Sequence, residues 1–224
     1  HYSQTTSATC FDVLRFVHRE AVAHGSHVFF LGDFWDHVYR RGTLPVDLLN
    51  HMIRFFKEEW QVKTIMIPGN HDYFDSAETE HGLEAFQGIN NITVLNESTY
   101  SEGLLFLPFR RDPATLRAAI AAHASKVVAI FGHLDVIGAR MNSHKLSAHG
   151  CAASDFPVPT YSGHYHSPST IGAVTYIGSP YQVHLSEAGD DKALVLVNLR
   201  DGTVAKKIPI NVGRRHFKRS ALSD

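Results

Sequence analysis

The stretch Val28-Phe29-Phe30-Leu31-Gly32-Asp33-Phe34-Trp35-Asp36 sets the reading of the whole chain. Four consecutive apolar residues are enough for a strand buried on both faces, and the run stops at a glycine followed by a carboxylate. The pattern returns at Thr64-Ile65-Met66-Ile67-Pro68-Gly69-Asn70-His71-Asp72 and at Val127-Val128-Ala129-Ile130-Phe131-Gly132-His133. It returns again after Tyr161, at Gly163-His164-Tyr165-His166. Each time an apolar segment ends in a glycine and a side chain that can hold a metal ion.

Helical segments separate the early runs. Over residues 8–24, Cys10, Leu14, Val17 and Ala21 recur at helical spacing, with Ser7 to cap the start and Gly25 to end it. Pro45 opens a second helix at a position where proline is tolerated, and Val46, Leu49, Ile53 and Phe56 form its expected buried face. Asp112-Pro113 starts a third helix over 114–124. Ile92–Leu95 and Leu104–Leu107 read as further strands, and 138–159 as polar loop. The last third is β-rich, at 174–177, 193–199 and 203–210, with Asp201-Gly202 as a hairpin turn between the last two. Strands alternate with helices early and run together late. This predicts an α/β fold, a two-sheet α/β/α sandwich of mixed strand order flanked by helices. Residues 1–211 read as one domain, and 212–224 as a basic tail or the start of a further domain.

Bulk properties narrow the class of partner. The net charge of −1 points to neither nucleic acid nor membrane over the chain as a whole. Locally, Lys206, Lys207, Arg214, Arg215, Lys218 and Arg219 make a basic stretch, which is either a solvated tail or a contact for phosphate backbone or a partner. No segment approaches the roughly 18–20 apolar residues of a membrane span. The two cysteines, Cys10 and Cys151, fall in no CxxC spacing, which favours a reducing intracellular compartment, cytoplasm or nucleoid or nucleus. The unusual count is histidine, 16 of 224 residues.

Strand ends in an open α/β sheet share one rim, where ligands bind. Asp33, Asn70, His71, His133, His164 and His166 should therefore meet there. Asp33 has two oxygens and can bridge two cations roughly 3.5–4 Å apart, offsetting part of their repulsion. Asn70 offers an amide oxygen, and the histidines offer imidazole nitrogens. The mixed set suits Mn²⁺, Fe or Zn²⁺ better than Ca²⁺ or Mg²⁺. If residues 164–166 are extended, His164 and His166 face one side and can serve one metal each. Singly, a Gly-Asp is usually a turn and a Gly-His is weaker still. Four such motifs in this order, each at a strand end, make chance a poor explanation. The remaining histidines read as surface or satisfied core residues, with His37 ambiguous because it follows Asp36 directly.

On these motifs, Gly32-Asp33-x-x-Asp36, Gly69-Asn70-His71-Asp72, Gly132-His133 and Gly163-His164-x-His166, the sequence resembles the calcineurin-like metallophosphoesterase superfamily. The family's first motif, Asp-x-His at the end of an opening strand, is represented only by His1, as if that strand had been cut away. Residues 176–190, together with Ile208-Pro209-Ile210 and Arg214-Arg215, are similar to the SbcD-type DNA nuclease branch. The resemblance makes 1–211 a metallophosphoesterase catalytic domain and 212–224 the possible start of a missing capping domain. It implies two divalent metal ions, Mn²⁺ the leading choice. His1, Asp33 and His166 would hold one, with an Asp outside this sequence. Asp33, Asn70, His133 and His164 would hold the other. His71 would contact the scissile phosphate and assist the leaving group, Asp72 would orient His71, and Asp36 would support the site from behind. A bridging hydroxide would attack phosphorus in line. The implied function is a phosphodiesterase or nuclease acting on DNA. By the same likeness, a coiled-coil ATPase and a second copy of the chain are expected partners. Two other readings stand beside it: a phosphomonoesterase or small-molecule phosphodiesterase, and a scaffold of the same fold with weak catalysis.

Overall fold

Apolar runs and amphipathic segments resolve, in a computed structural model that describes residues 7–36, 45–141 and 145–217, into two facing sheets with helices outside. His1 and His37 lie outside the described residues.

The first sheet is parallel, in the order β1 (Val28–Leu31), β2 (Thr64–Ile67), β3 (Ile92–Val94). Parallel neighbours need a crossover. Helix α1 (Ser7–His24) precedes β1, and α2 (Val46–Glu58) carries the chain from β1 to β2. Both helices pack on the outer face, in a core that includes Val13, Leu14, Met52, Phe55, Phe56, Trp60, Met66 and Phe86. The buried face of α2 differs from the expected one. Leu48, Met52, Phe55 and Phe56 are buried, whereas Val46 is 70% exposed. The aromatic pair decides the rotation. Phe55 packs on Phe11 and Trp60, and Phe56 on Phe34, Trp60 and Phe86, so Leu49 and Ile53 become flanking residues.

The second sheet has the order β4-β5-β6-β7-β9-β8, from β4 (Thr99–Ser101), β5 (Leu104–Leu107), β6 (Ala129–Gly132), β7 (Thr160–Ser162), β8 (Ser169–Ile171) and β9 (Val174–Tyr176). Its centre is parallel and its two edge pairings antiparallel. Helix α3 (Pro113–His123) is capped by the Asp112 side chain, which accepts from Ala114 N at 2.9 Å. Every residue of β5 and β6 is buried, as expected for strands covered on both faces. Leu105, Leu107 and Ile130 share the outer core with Leu116 and Ile120 of α3. Leu104, Phe106, Ala129, Phe131 and Tyr161 of β7 face the other sheet and meet Leu31 and Ile67 there. Phe29 meets Phe106 and Phe131 edge-on, at 5.2 and 4.7 Å between centroids. The layers run helix, sheet, sheet, helix.

A separate hairpin, β10 (Ala193–Val197) and β11 (Val204–Pro209), turns at Asp201-Gly202 as the sequence predicts, with Gly202 at φ 71°. A cavity of about 270 Å³ lies between it, α1 and β1, lined by Val17, Phe30, Leu194 and Ile208 and reaching Asp33, His164 and His166. The segment read as polar loop is largely loop, but Ala139, Cys151 and Phe156 anchor it in the outer core. No helix of the described residues is long and apolar enough to cross a membrane.

The inter-sheet layer is predicted to dominate stability. Phe106→Ala should cost about 3–5 kcal/mol in urea unfolding, whereas Val46→Ala should stay within about 0.5 kcal/mol. Equal losses would contradict the burial pattern.

Candidate metal centre

The C-terminal ends of β1, β2, β6 and β7 deliver their motifs to one rim. His133 stands at its middle and is fully buried. Its backbone N–H donates to Leu107 O at 3.0 Å, and its Nδ1 lies 2.7 Å from Leu31 O. A carbonyl can only accept, so Nδ1 carries a proton, and in the neutral ring Nε2 presents a lone pair. That Nε2 is 3.0 Å from Asn70 Oδ1, 3.1 Å from His164 Nδ1 and 3.3 Å from Asp33 Oδ2. Four electron-pair donors from four loops thus crowd one point. Such a cluster is repulsive unless a proton or a metal cation sits among them, and a mixed nitrogen–oxygen set of this kind fits a transition-metal dication. The ligand atoms of Asp33, His133 and His164 all lie within 4.8 Å of one another.

The backbone is bent to make this possible. Asp33 has φ 58° and His164 φ 81°, in the left-handed region that aspartate and histidine enter more readily than most residues. Gly69 and Gly163 are needed for a different reason. A Cβ on Gly163 would strike Leu31 O, and one on Gly69 would strike Asp33 and His133. The sheets meet too closely there for any side chain.

Asp72 is fully buried and holds the first two motifs together. Its Oδ2 accepts from Asp33 N and Gly69 N, and its Oδ1 from Trp35 N, each at 2.8 Å. In return, Asp33 Oδ1 accepts from His71 N at 2.9 Å. Among the described residues, the carboxylate expected to orient the His71 ring is directed at backbone amides. Burial and the neighbouring charge of Asp33 push the Asp72 carboxyl up, against the pull of those amides. Burial also opposes ionisation of Asp33, but the His133 imidazole and the His71 amide outweigh it and hold Asp33 well below the usual carboxylate range. Asp36 lies on the same turn, three residues beyond Asp33.

His166 belongs to a second cluster with His184 and Glu187, whose ligand atoms again lie within 4.8 Å. It lines the same cavity as Asp33 and His164. Asp135, which the sequence reading passed over, backs the first cluster. Its Oδ1 accepts from Tyr165 OH and from Ser147 Oγ, and lies 3.6 Å from His164 Nε2. Burial opposes its ionisation, yet His164 and the Tyr165 and Ser147 hydroxyls keep its carboxyl below the ordinary range. Its position two residues after His133 was the available signal. His184 had none, since nothing in its local sequence marks it.

The two-sheet sandwich and the donor-rich rim define an α/β protein with a candidate metal site. Residues 7–168 match the calcineurin-like phosphoesterase family, and the chain belongs to it. Metal-dependent hydrolysis of phosphoesters is the activity of that family. No curated protein matches the chain. A solved crystal structure superposes with a TM-score of 0.53 at 17% identity, covering 91% of this chain and 95% of that one, a likeness of fold.

Asp72→Ala strands three buried amides, each costing about 1–3 kcal/mol. It should lower unfolding free energy by at least about 3 kcal/mol, with Asp72→Asn intermediate. Wild-type stability of the alanine variant would remove Asp72 as the clamp.

Proposed function

We propose that the rim holds two divalent cations and hydrolyses phosphodiesters, with DNA as substrate, on the SbcD-type branch of the family. The observation that carries the reading is the convergence of Asp33, Asn70, His133 and His164, with His166 two residues further along the same loop in an adjacent cluster. Asp33, Asn70, His133 and His164 would hold one ion, and Asp33, His166 and His1 would contribute to the other. Mn²⁺ is the first choice, with Fe or Zn²⁺ compatible with the same donors. The cavity along β1 and β10 reaches Asp33, His164 and His166.

Bound dications supply Lewis acidity toward the phosphoryl oxygens and toward water. The remaining work falls to the chain. His71 sits on the loop tied to Asp33 through its backbone amide, and its imidazole would donate a proton to the departing oxygen. Such general acid help is worth about 10²–10⁴-fold. Asp72 keeps that loop and the Asp33 turn in register, and Asp36 supports the same turn. Phe109, with its ring 6.0 Å from His133 and 6.1 Å from His164, walls the site on the apolar side.

DNA is favoured by the likeness of residues 176–190 and by the basic Lys206, Lys207, Arg214 and Arg215, which suit a phosphate backbone. On the same grounds we assign a coiled-coil ATPase and a second copy of the chain as partners. The buried free thiols of Cys10 and Cys151 suit a reducing intracellular compartment. Small-molecule phosphodiesters or monoesters are the competing substrates, favoured by a net charge of −1.

With Mn²⁺, the protein should degrade linear DNA. Cleavage of nitrophenyl diesters with DNA left intact would reassign it to small substrates, and no turnover of either would leave a scaffold. His71→Ala should keep its metal and lose about 10²–10⁴-fold in kcat, whereas Asp33→Ala should lose metal as well. Equal metal contents in the two variants, measured by elemental analysis, would break this division of roles.

A further inference from the structure

His166, His184 and Glu187 have the composition of a metal site, and two readings compete for them. In one, Glu187 is itself a ligand. In the other, it holds His166 in place for an ion on the far side of the imidazole.

The surroundings of Glu187 decide between them. Its side chain is 3% exposed, in a one-turn helix over Leu185–Glu187. Oε1 accepts from His184 N at 3.0 Å and faces His166 Nδ1 at 3.0 Å. Oε2 accepts from Lys192 Nζ at 2.7 Å, from Ser179 Oγ at 3.0 Å and from Val183 N at 3.3 Å. A carboxylate has about four lone-pair positions. Two amides and an ammonium crowd the two Glu187 oxygens, which disfavours an ion there, and the charge of Lys192 would repel one. Opposite a carboxylate oxygen, His166 Nδ1 carries the proton, which leaves Nε2 as the ligand atom. The His184 ring lies flat against that of His166, 5.5 Å between centroids and 8° between planes, and limits its rotation.

Lys192 ties this support to the backbone of the ligand loop. Its side chain is 4% exposed. Besides Glu187, it donates to His166 O at 2.7 Å and Ser179 Oγ at 3.1 Å, and lies 3.5 Å from Asp190 Oδ2. Ser179 N also donates to His166 O, at 2.9 Å. Both the ring and the carbonyl of His166 are thus gripped by one buried ion pair, drawn from a segment beyond the family match that ends at residue 168.

We infer that Glu187 and Lys192 are positioning residues that fix the His166 imidazole with Nδ1 protonated and Nε2 presented to a metal ion. The inference rests on the proposed role of His166 as a ligand. Neither residue touches substrate; both act through His166.

Mn²⁺ titration by calorimetry, with metal counts by elemental analysis, tests it on the purified protein and on Glu187→Gln, Lys192→Met, the double variant and His166→Ala. Glu187→Gln alone leaves the buried Lys192 charge only the longer contact to Asp190 and should unfold at a lower temperature. The double variant removes both charges and should recover thermal stability. Its affinity for one ion should nevertheless remain about 10–100-fold weaker, the usual effect of losing such a support, while the other ion binds unchanged. Nitrogen NMR of the metal-free protein should show the His166 signal, identified by its loss in His166→Ala, as the Nδ1–H tautomer in the wild type and as a tautomer mixture in the double variant. Recovery of wild-type affinity together with stability would reduce the pair to a structural role and overturn the inference. So would outright loss of one ion from the double variant, as in His166→Ala, because Glu187 would then be a ligand. Retention of both ions by His166→Ala would instead sink the two-ion reading itself.

Discussion

The imidazole of His133 is the point at which the two sheets are locked together. Its main chain bonds to the end of β5 and its Nδ1–H to the end of β1 in the opposite sheet. Sheets that pack only through side chains can slide by fractions of an ångström at small cost. A hydrogen bond between a fully buried ring and a carbonyl across the gap sets a fixed separation at the rim. The same bond holds the proton on Nδ1, so the joint between the sheets also turns Nε2 toward Asp33, Asn70 and His164. Geometry of the fold and chemistry of the site are one constraint here. Gly69 and Gly163 follow from it, because the close approach that His133 demands leaves no room for a Cβ at either position.

Around that joint the supporting groups are mostly carboxylates. Asp72 gathers backbone amides, Asp135 backs His164, and Glu187 backs His166. None is at the centre of the ligand cluster, yet each determines where a ligand points. An isolated buried carboxylate is costly, and each of these has several donors to offset its desolvation. A collection of carboxyl groups beside a rim rich in electron pairs makes chemical sense when a divalent cation completes the charge balance.

Much of this was legible in the chain. The apolar runs before Gly32, Gly69, Gly132 and Gly163 announced buried strands, because a strand covered on both faces has no polar positions to disguise it. The hairpin at Asp201-Gly202 was equally plain. The three-residue strands β4 and β8 left almost no pattern to read, and the face of α2 was misjudged because apolar residues surround most of that helix. At the site, the donor side chains gathered at the rim announce themselves by their repeated position at strand ends. Their supports were harder to find. Asp135, Glu187 and Lys192 act through contacts across 21 to 30 residues or within a loop of irregular backbone, where no periodicity carries information. The three backbone amides that Asp72 gathers lie on two separate loops, and no sequence pattern announces such contacts.

The left-handed backbone at Asp33 and His164 has a consequence for how this site could change over generations. Residues branched at Cβ are strongly disfavoured in that conformation, while glycine, asparagine, aspartate and histidine enter it with least strain. A lineage that stopped using its ions would remain confined to that short alphabet at both positions for as long as the sheets kept their spacing. Loss of activity would then leave asparagine or glycine behind, and not valine or isoleucine. The fold would preserve the outline of the site after its chemistry had gone.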